Sequence, residues 1–274
     1  MEAMARVDHP TYAGVLLKNE PMAKHTSWRV GGPAKWFFKP VDLNDIAVFL
    51  QTQKYHEPLL WLGLGSNLLV RDGGFNGTVI LTTPTLKSMH LGVSNRVQVQ
   101  AGVACAKLAR FAAAYDLSGA EFFCGIPGTV GGALAMNAGA FGGETWKVVE
   151  AVQTIDASGV LRERAAQEFA IGYRSVSGPN QEWFVGATLA LHTGDGEKSR
   201  SQMKKLLKQR GETQPTQWPN AGSVFRNPDG DYAARLIEAC GLKGRQIGAA
   251  LVSDKHANFI INIGGAKAAD IEAL

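Results

Sequence analysis

The chain shows no sustained hydrophobic period over residues 1–26, and its first clear element is the apolar block Trp36-Phe37-Phe38, a short strand stopped at Pro40. Asp42 then opens a new element. Leu43, Ile46, Ala47, Phe49 and Leu50 recur at helical spacing and predict an amphipathic helix running to about Lys54. Residues 58–62 read as a buried strand ending at a glycine. Residues 68–70 and 77–81 read as two more strands, separated by the turn-rich Arg71-Asp72-Gly73-Gly74. Alternation over 96–102 predicts a half-exposed strand, and Leu108, Phe111 and Ala112 predict a helix over 104–115. Strands over 149–155, 159–164 and 182–191 precede a helix over about 197–210. Beyond it the pattern changes: 220–231 is turn-rich, 232–240 is a short helix ended by Gly241, 258–262 is a strand and 267–274 begins a helix. Two β-rich segments, 1–82 and 83–200, are therefore followed by a smaller α+β segment, 201–274.

At 274 residues with 45% hydrophobic and 19% charged side chains, the chain has the profile of a globular protein with a substantial core. No apolar run approaches the roughly 18 residues of a membrane span, and the N-terminus has no secretory h-region, so a cytoplasmic protein without membrane insertion is expected. A net charge of +4 is too small to imply nucleic acid, although it favours an anionic ligand. The basic run Arg200, Lys204, Lys205, Lys208 and Arg210 has no interleaved aromatic residue and reads as a solvated helix face. Cys105, Cys124 and Cys240 lie far apart without C-x-x-C spacing, which indicates neither a disulfide framework nor a metal site.

The 32 glycines gather in two tracts. In the first, Gly63-Leu64-Gly65-Ser66-Asn67-Leu68 follows a strand as a dinucleotide fingerprint does. Its sixth position is Leu where that fingerprint needs glycine, and another strand is expected next, so a Rossmann reading is disfavoured. Gly63 and Gly65 let the backbone approach a ligand, and Ser66 and Asn67 offer neutral hydrogen bonds to phosphate oxygens; an ordinary β-turn competes with this reading. The second tract, 125–140, is nearly uncharged. Pro127 suits the start of a helical turn, and Gly128, Gly131 and Gly132 bare amides to which a diphosphate could bind. Dense small-residue contact of a helix with a sheet is the alternative.

Six blocks stand in the order found in the UDP-N-acetylenolpyruvoylglucosamine reductases, which the chain resembles over about residues 20–274: Ser27–Gly32, Gly63–Asn67, Gly125–Asn137, Gly172-Tyr173-Arg174, Ala221–Pro228 and Ser253–Phe259. The resemblance implies an α+β architecture: a p-cresol methylhydroxylase/vanillyl-alcohol oxidase-type FAD-binding fold in two subdomains, plus a smaller C-terminal substrate domain. It implies FAD as cofactor and NADPH as reductant, and reduction of the enolpyruvyl ether of a UDP-sugar to UDP-N-acetylmuramate for peptidoglycan. Hydride addition to the terminal enol-ether carbon leaves negative charge delocalised into the carboxylate, so the site needs a fixed cation and a proton donor. By resemblance Arg174 is the cation and Ser223 the donor. Gly63, Gly65, Ser66, Asn67, Gly125, Ile126, Pro127, Gly128, Gly131, Gly132 and Asn137 are then the cofactor-binding candidates, and Tyr173, Asn227, Lys255 and His256 the substrate-binding ones. Taken alone, Arg174 reads more readily as part of a surface ion pair and Ser223 as a local turn hydroxyl, and only the surrounding blocks reverse that.

The family also uses a glutamate beyond its last helix. Glu272 does not match that motif and is not given the role, and a sequence ending at Leu274 is expected to lack the strand and helix that follow. No tyrosine-bearing insertion occurs between about 174 and 200, which implies the subtype without that lid. A monomer is expected. A flavin oxidase of the same fold, or a non-catalytic nucleotide-binding module, are the other readings.

Overall fold

The computed structural model describes residues 5–7, 11–52, 57–83 and 85–274. The N-terminal sheet comprises β1 (Ala5–Val7), β2 (Val15–Pro21), β3 (Pro33–Lys39), β4 (Leu59–Leu62) and β5 (Phe75–Leu81), in the order β1-β2-β3-β5-β4, with α1 (Leu43–Thr52) between β3 and β4. The β3/β5 and β4/β5 pairs are parallel, a pairing that requires cover on both faces. Successive side chains supply it. Phe38 and Ile80 join one core with Ile46 and Phe49 of α1, while Phe37 and Val79 join another with Met22 and Leu62. Asp42 caps α1 as its position suggests, its carboxylate accepting from the Asp45 amide at 2.7 Å. The expected helix end at Lys54 lies outside the described residues. Leu68-Leu69-Val70 form no strand, contrary to expectation. Leu68 packs against the N-terminal core and Leu69 against the C-terminal one, so this apolar run serves two cores rather than one sheet face.

The second unit contains β6 (Met89–Leu91), β7 (Arg96–Gln100), α2 (Cys105–Ala114), β8 (Leu117–Ser118), α3 (Val130–Ala135), β9 (Gly139–Ala140), β10 (Gly143–Glu144), β11 (Val149–Asp156), β12 (Leu161–Ala165), β13 (Ala170–Gly172), β14 (Ser175–Ser177), β15 (Glu182–Ala190), β16 (His192–Thr193) and α4 (Gly196–Thr213). Its main sheet is antiparallel throughout, in the order β12-β11-β15-β7-β6. Val97 and Val99 turn inward as the alternation requires, onto Leu108 and Ala112 of α2. Met203 of α4 enters the same core, so this helix belongs by contact with the segment before residue 200. Ala101, Ile155 and Val185 reach into the core around α1 and join the first two units.

The C-terminal unit holds α5 (Ala233–Ala239), the three-stranded sheet of β17 (Gln246–Ile247), β18 (Ala250–Val252) and β19 (Ile260–Asn262), and α6 (Ala268–Ala273). It docks on the first unit. Trp28 and Val30 share a core with Ala221, Ala250, Ile260, Ala268 and Ile271, and the Trp28 indole donates to the Ile260 carbonyl at 2.7 Å.

Candidate active site

The two glycine tracts face one another where the three units meet. A Cβ at Gly63 would stand 2.4 Å from Thr129 Oγ1, and one at Gly128 would stand 3.3 Å from Ser66 Oγ. Gly65 has φ +64, and a Cβ there would stand 2.0 Å from the His25 carbonyl oxygen, so glycine is required on two counts. Between the tracts lies a cavity of about 420 Å³, lined by Gly63, Gly65, Ser66, Asn67, Gly125, Ile126, Pro127, Gly128 and Gly132, and also by Arg174 and Ser223. A second cavity of about 530 Å³ adjoins it and shares Ser66, Pro127, Arg210, Gln214, Gly222 and Phe259 with it. The charged residues lining the two are Arg29, Arg174 and Arg210, all cationic, so this is a site for an anion.

The second tract works differently from its expected form. Pro127 lies ahead of the helix, and Thr129 is the cap of α3. The Gly131 amide donates to Ala101 O at 2.8 Å and the Gly132 amide to Thr129 Oγ1 at 3.4 Å, so neither is bare for a diphosphate. Gly131 instead allows close approach, since a Cβ there would stand 2.9 Å from that of Ala101. Among the described residues, the amides of Gly65, Ser66, Asn67 and Gly128 find no acceptor. Unpaired N–H groups at a cavity with cationic walls fit the phosphates and polar ring edge of FAD.

Asn137 does not line the cavity. It is buried, accepts from the Trp146 amide at 3.2 Å and donates from Nδ2 to the Gly172 carbonyl at 3.2 Å, bracing the β13–β14 hairpin. Tyr173 and Arg174 form the tip of that hairpin. Tyr173 is exposed outside the cavity, whereas the half-buried Arg174 lines it. Arg174 is held at φ +52, a left-handed conformation costly for a side chain with a Cβ. Its guanidinium has no ion-pair partner among the described residues, which argues against the surface-pair reading. Ser223 follows Gly222, at φ +79, and its hydroxyl likewise makes no bond to the described chain, so it is not spent on a local turn.

Three of the remaining candidates stand away from these walls. Asn227 accepts from the Ala233 amide at 3.1 Å, at the start of α5. Lys255 extends its ammonium to the Gly211 carbonyl. His256 packs edge-on to Phe259 at 4.7 Å, and its pKa is lowered by burial in the first place, with the Lys243 charge adding to the shift. Glu272 pairs with Arg71 at 2.8 Å on the outer surface and is absent from the cavity walls.

The sequence pattern did not single out Arg210. Within a basic run whose pattern reads as solvated, it is half-buried at both cavities and bonded to Gln214 at 3.0 Å. Burial lowers its pKa, with the Cys124 thiol opposing. The overlooked signal was spacing: Ser199, Met203, Leu206 and Arg210 fall on one helical face, the inward one.

Residues 214–274 match the family described as UDP-N-acetylenolpyruvoylglucosamine reductase, C-terminal domain, and residues 34–164 match the FAD binding domain. The UDP-N-acetylenolpyruvoylglucosamine reductase of Legionella pneumophila is 59% identical over 262 residues, covering 95% of this chain and 85% of its own. That of Methylococcus capsulatus is 56% identical over 273 residues, covering 100% of this chain and 90% of its own. This chain belongs to the UDP-N-acetylenolpyruvoylglucosamine reductase family. It is an FAD-dependent oxidoreductase with NADPH as reductant. The crystal structure of the reductase from Thermus caldophilus superposes with a TM-score of 0.80 at 33% identity, over 99% of this chain and 92% of that one. 6-Hydroxy-D-nicotine oxidase from Arthrobacter nicotinovorans, at 17% identity and a TM-score of 0.50 over 68% of this chain and 44% of that one, shares the fold. The expected oxidase-type FAD fold with a separate C-terminal unit is thereby established. Among the described residues no helix is long and apolar enough to cross a membrane.

Proposed function

We propose that this reductase reduces the enolpyruvyl ether of UDP-N-acetylglucosamine enolpyruvate in the cavity between the glycine tracts, with Arg174 holding the substrate carboxylate and Ser223 delivering the proton. The observation that carries the reading is that both side chains, from different units, line one cavity with unspent polar groups. FAD, when bound, supplies the hydride; Gly63, Gly65, Ser66, Asn67, Gly125, Ile126, Pro127, Gly128 and Gly132 are the residues that hold it, with Arg210 as a charge for its diphosphate. The Arg174 guanidinium offers a planar fork to a carboxylate, stabilising negative charge as it develops there. A serine hydroxyl is a weak acid and gives its proton up to a strongly basic carbon only, so Ser223 acts after charge has built up next to that carboxylate. Tyr173, Asn227, Lys255 and His256 are the candidates for the UDP portion on the family resemblance, and none of them lines either cavity. The reading takes the enzyme as cytoplasmic and as acting as a monomer.

The test is a visible spectrum of the purified protein followed by anaerobic NADPH, with and without the enolpyruvyl UDP-sugar. A flavin band that bleaches with NADPH and returns with the sugar is expected. Ser223→Ala should bleach at the normal rate and recover about 10²-fold more slowly. Equal slowing of both steps would remove Ser223 from the proton's path, and a return driven by oxygen alone would favour an oxidase.

A further inference from the structure

We propose that Arg226 is a positioning residue that latches the turn carrying Arg174 to the loop carrying Ser223, so that the substrate carboxylate and the carbon awaiting a proton meet one preset unit. The inference rests on the roles just given to Arg174 and Ser223. Arg226 reaches out of the C-terminal unit and donates from Nη2 to the Arg174 carbonyl oxygen at 2.9 Å, across 52 residues of sequence. That is its one polar contact among the described residues, and no carboxylate competes for it.

Both ends of the latch are otherwise anchored. The Val224 amide donates to the Asn258 carbonyl at 2.9 Å, the Phe225 amide to Asn258 Oδ1 at 2.9 Å, and Asn258 Nδ2 returns a bond to the Phe225 carbonyl at 2.9 Å. The loop from Ser223 to Arg226 is thus pinned to the turn just before β19. On the opposite side Asn137 holds Gly172, the last residue of β13 before the turn, but the turn itself carries Arg174 in the left-handed region, from which an L residue tends to relax. Arg226 opposes that relaxation at the strained residue itself. A carboxylate clamp must be held to within about 0.5 Å to be effective, and one charge-assisted bond to the clamp's own peptide is suited to that.

The decisive experiment is calorimetric titration of the FAD-loaded protein with the enolpyruvyl UDP-sugar and with UDP-N-acetylglucosamine, which lacks the carboxylate. Arg226→Ala should lose about ten-fold in affinity for the first ligand, none for the second, and keep the wild-type melting temperature. Arg226→Lys should recover part of the loss, and adding Arg226→Ala to Arg174→Lys should cost nothing further. In rapid mixing, Arg226→Ala should slow oxidation of the reduced protein by the sugar while its reduction by NADPH is unchanged. Equal losses for both ligands, additive losses in the double variant, or wild-type behaviour of Arg226→Ala would overturn the latch. A wild-type protein that fails to prefer the carboxylate-bearing ligand would overturn the role of Arg174, and the latch with it.

Discussion

Arg210 marks the difference between residue type and residue environment. Its neighbours Lys204, Lys205 and Lys208 are exposed, while Arg210, on the inward face of α4, carries its charge to the cavity wall with no carboxylate among the described residues to neutralise it. A half-buried guanidinium without a counter-charge is unfavourable until an anion arrives. Arg210→Met is therefore expected to weaken FAD binding by about ten-fold or more and to reduce its salt sensitivity, measured by flavin fluorescence on titrating the apoprotein. Arg174 and Ser223 were legible because their flanking blocks are distinctive; Arg210 was not, because a basic helix reads the same whichever face meets solvent. Asn137 was legible as part of a tract but not in its task, since bracing a hairpin depends on Gly172 being opposite.

Among the elements, strands and helices with a clean period were readable, including β3, α1, β7, α2, β15 and α4. The three-residue strands β13, β14 and β18 are too short to show alternation, and Leu68–Val70 were misread because consecutive apolar residues can face different cores. The β11–β12 hairpin offers an element-scale test. Burial pushes the Asp156 carboxyl up, but hydrogen bonds from the Ser158 hydroxyl, the Val160 and Ser158 amides and Arg162 outweigh it and hold its pKa at about 2. A carboxyl depressed in the folded state adds stability above its unfolded value of 3.8, and that contribution fades as pH falls toward about 2. Asp156→Asn is thus expected to cost about 1–2 kcal/mol at neutral pH and almost nothing near pH 2, in denaturant titrations across that window.

At the scale of the molecule, the site exists because the C-terminal unit docks on the first. Besides the Trp28 core, the Asp72 carboxylate accepts from the Ala268 and Ala269 amides at 3.0 Å each, and Asn262 Nδ2 donates to the Trp28 carbonyl at 2.9 Å. Ser223 rides on this docked unit, whereas the glycine tracts and Arg174 belong to the other two. Trp28→Ala should remove about 3–5 kcal/mol of packing and indole bonding. The variant is expected to retain flavin and its reduction by NADPH while losing reoxidation by the UDP-sugar. Loss of flavin in step with loss of reoxidation would show that the cofactor site depends on the same joint.

The alternation that buries β3 and β7, the cap of α1, the glycines on which backbone approach depends and the six blocks that name the family all follow from amino-acid order. These are local properties, written in residue type and spacing. Folding in three dimensions sets which glycine amides stay unpaired, which arginine of α4 faces inward, and that Arg174 and Ser223 share a cavity with Arg226 between their loops. Those depend on contacts among segments tens to hundreds of residues apart, and side-chain pattern carries no record of which distant backbone group will stand opposite.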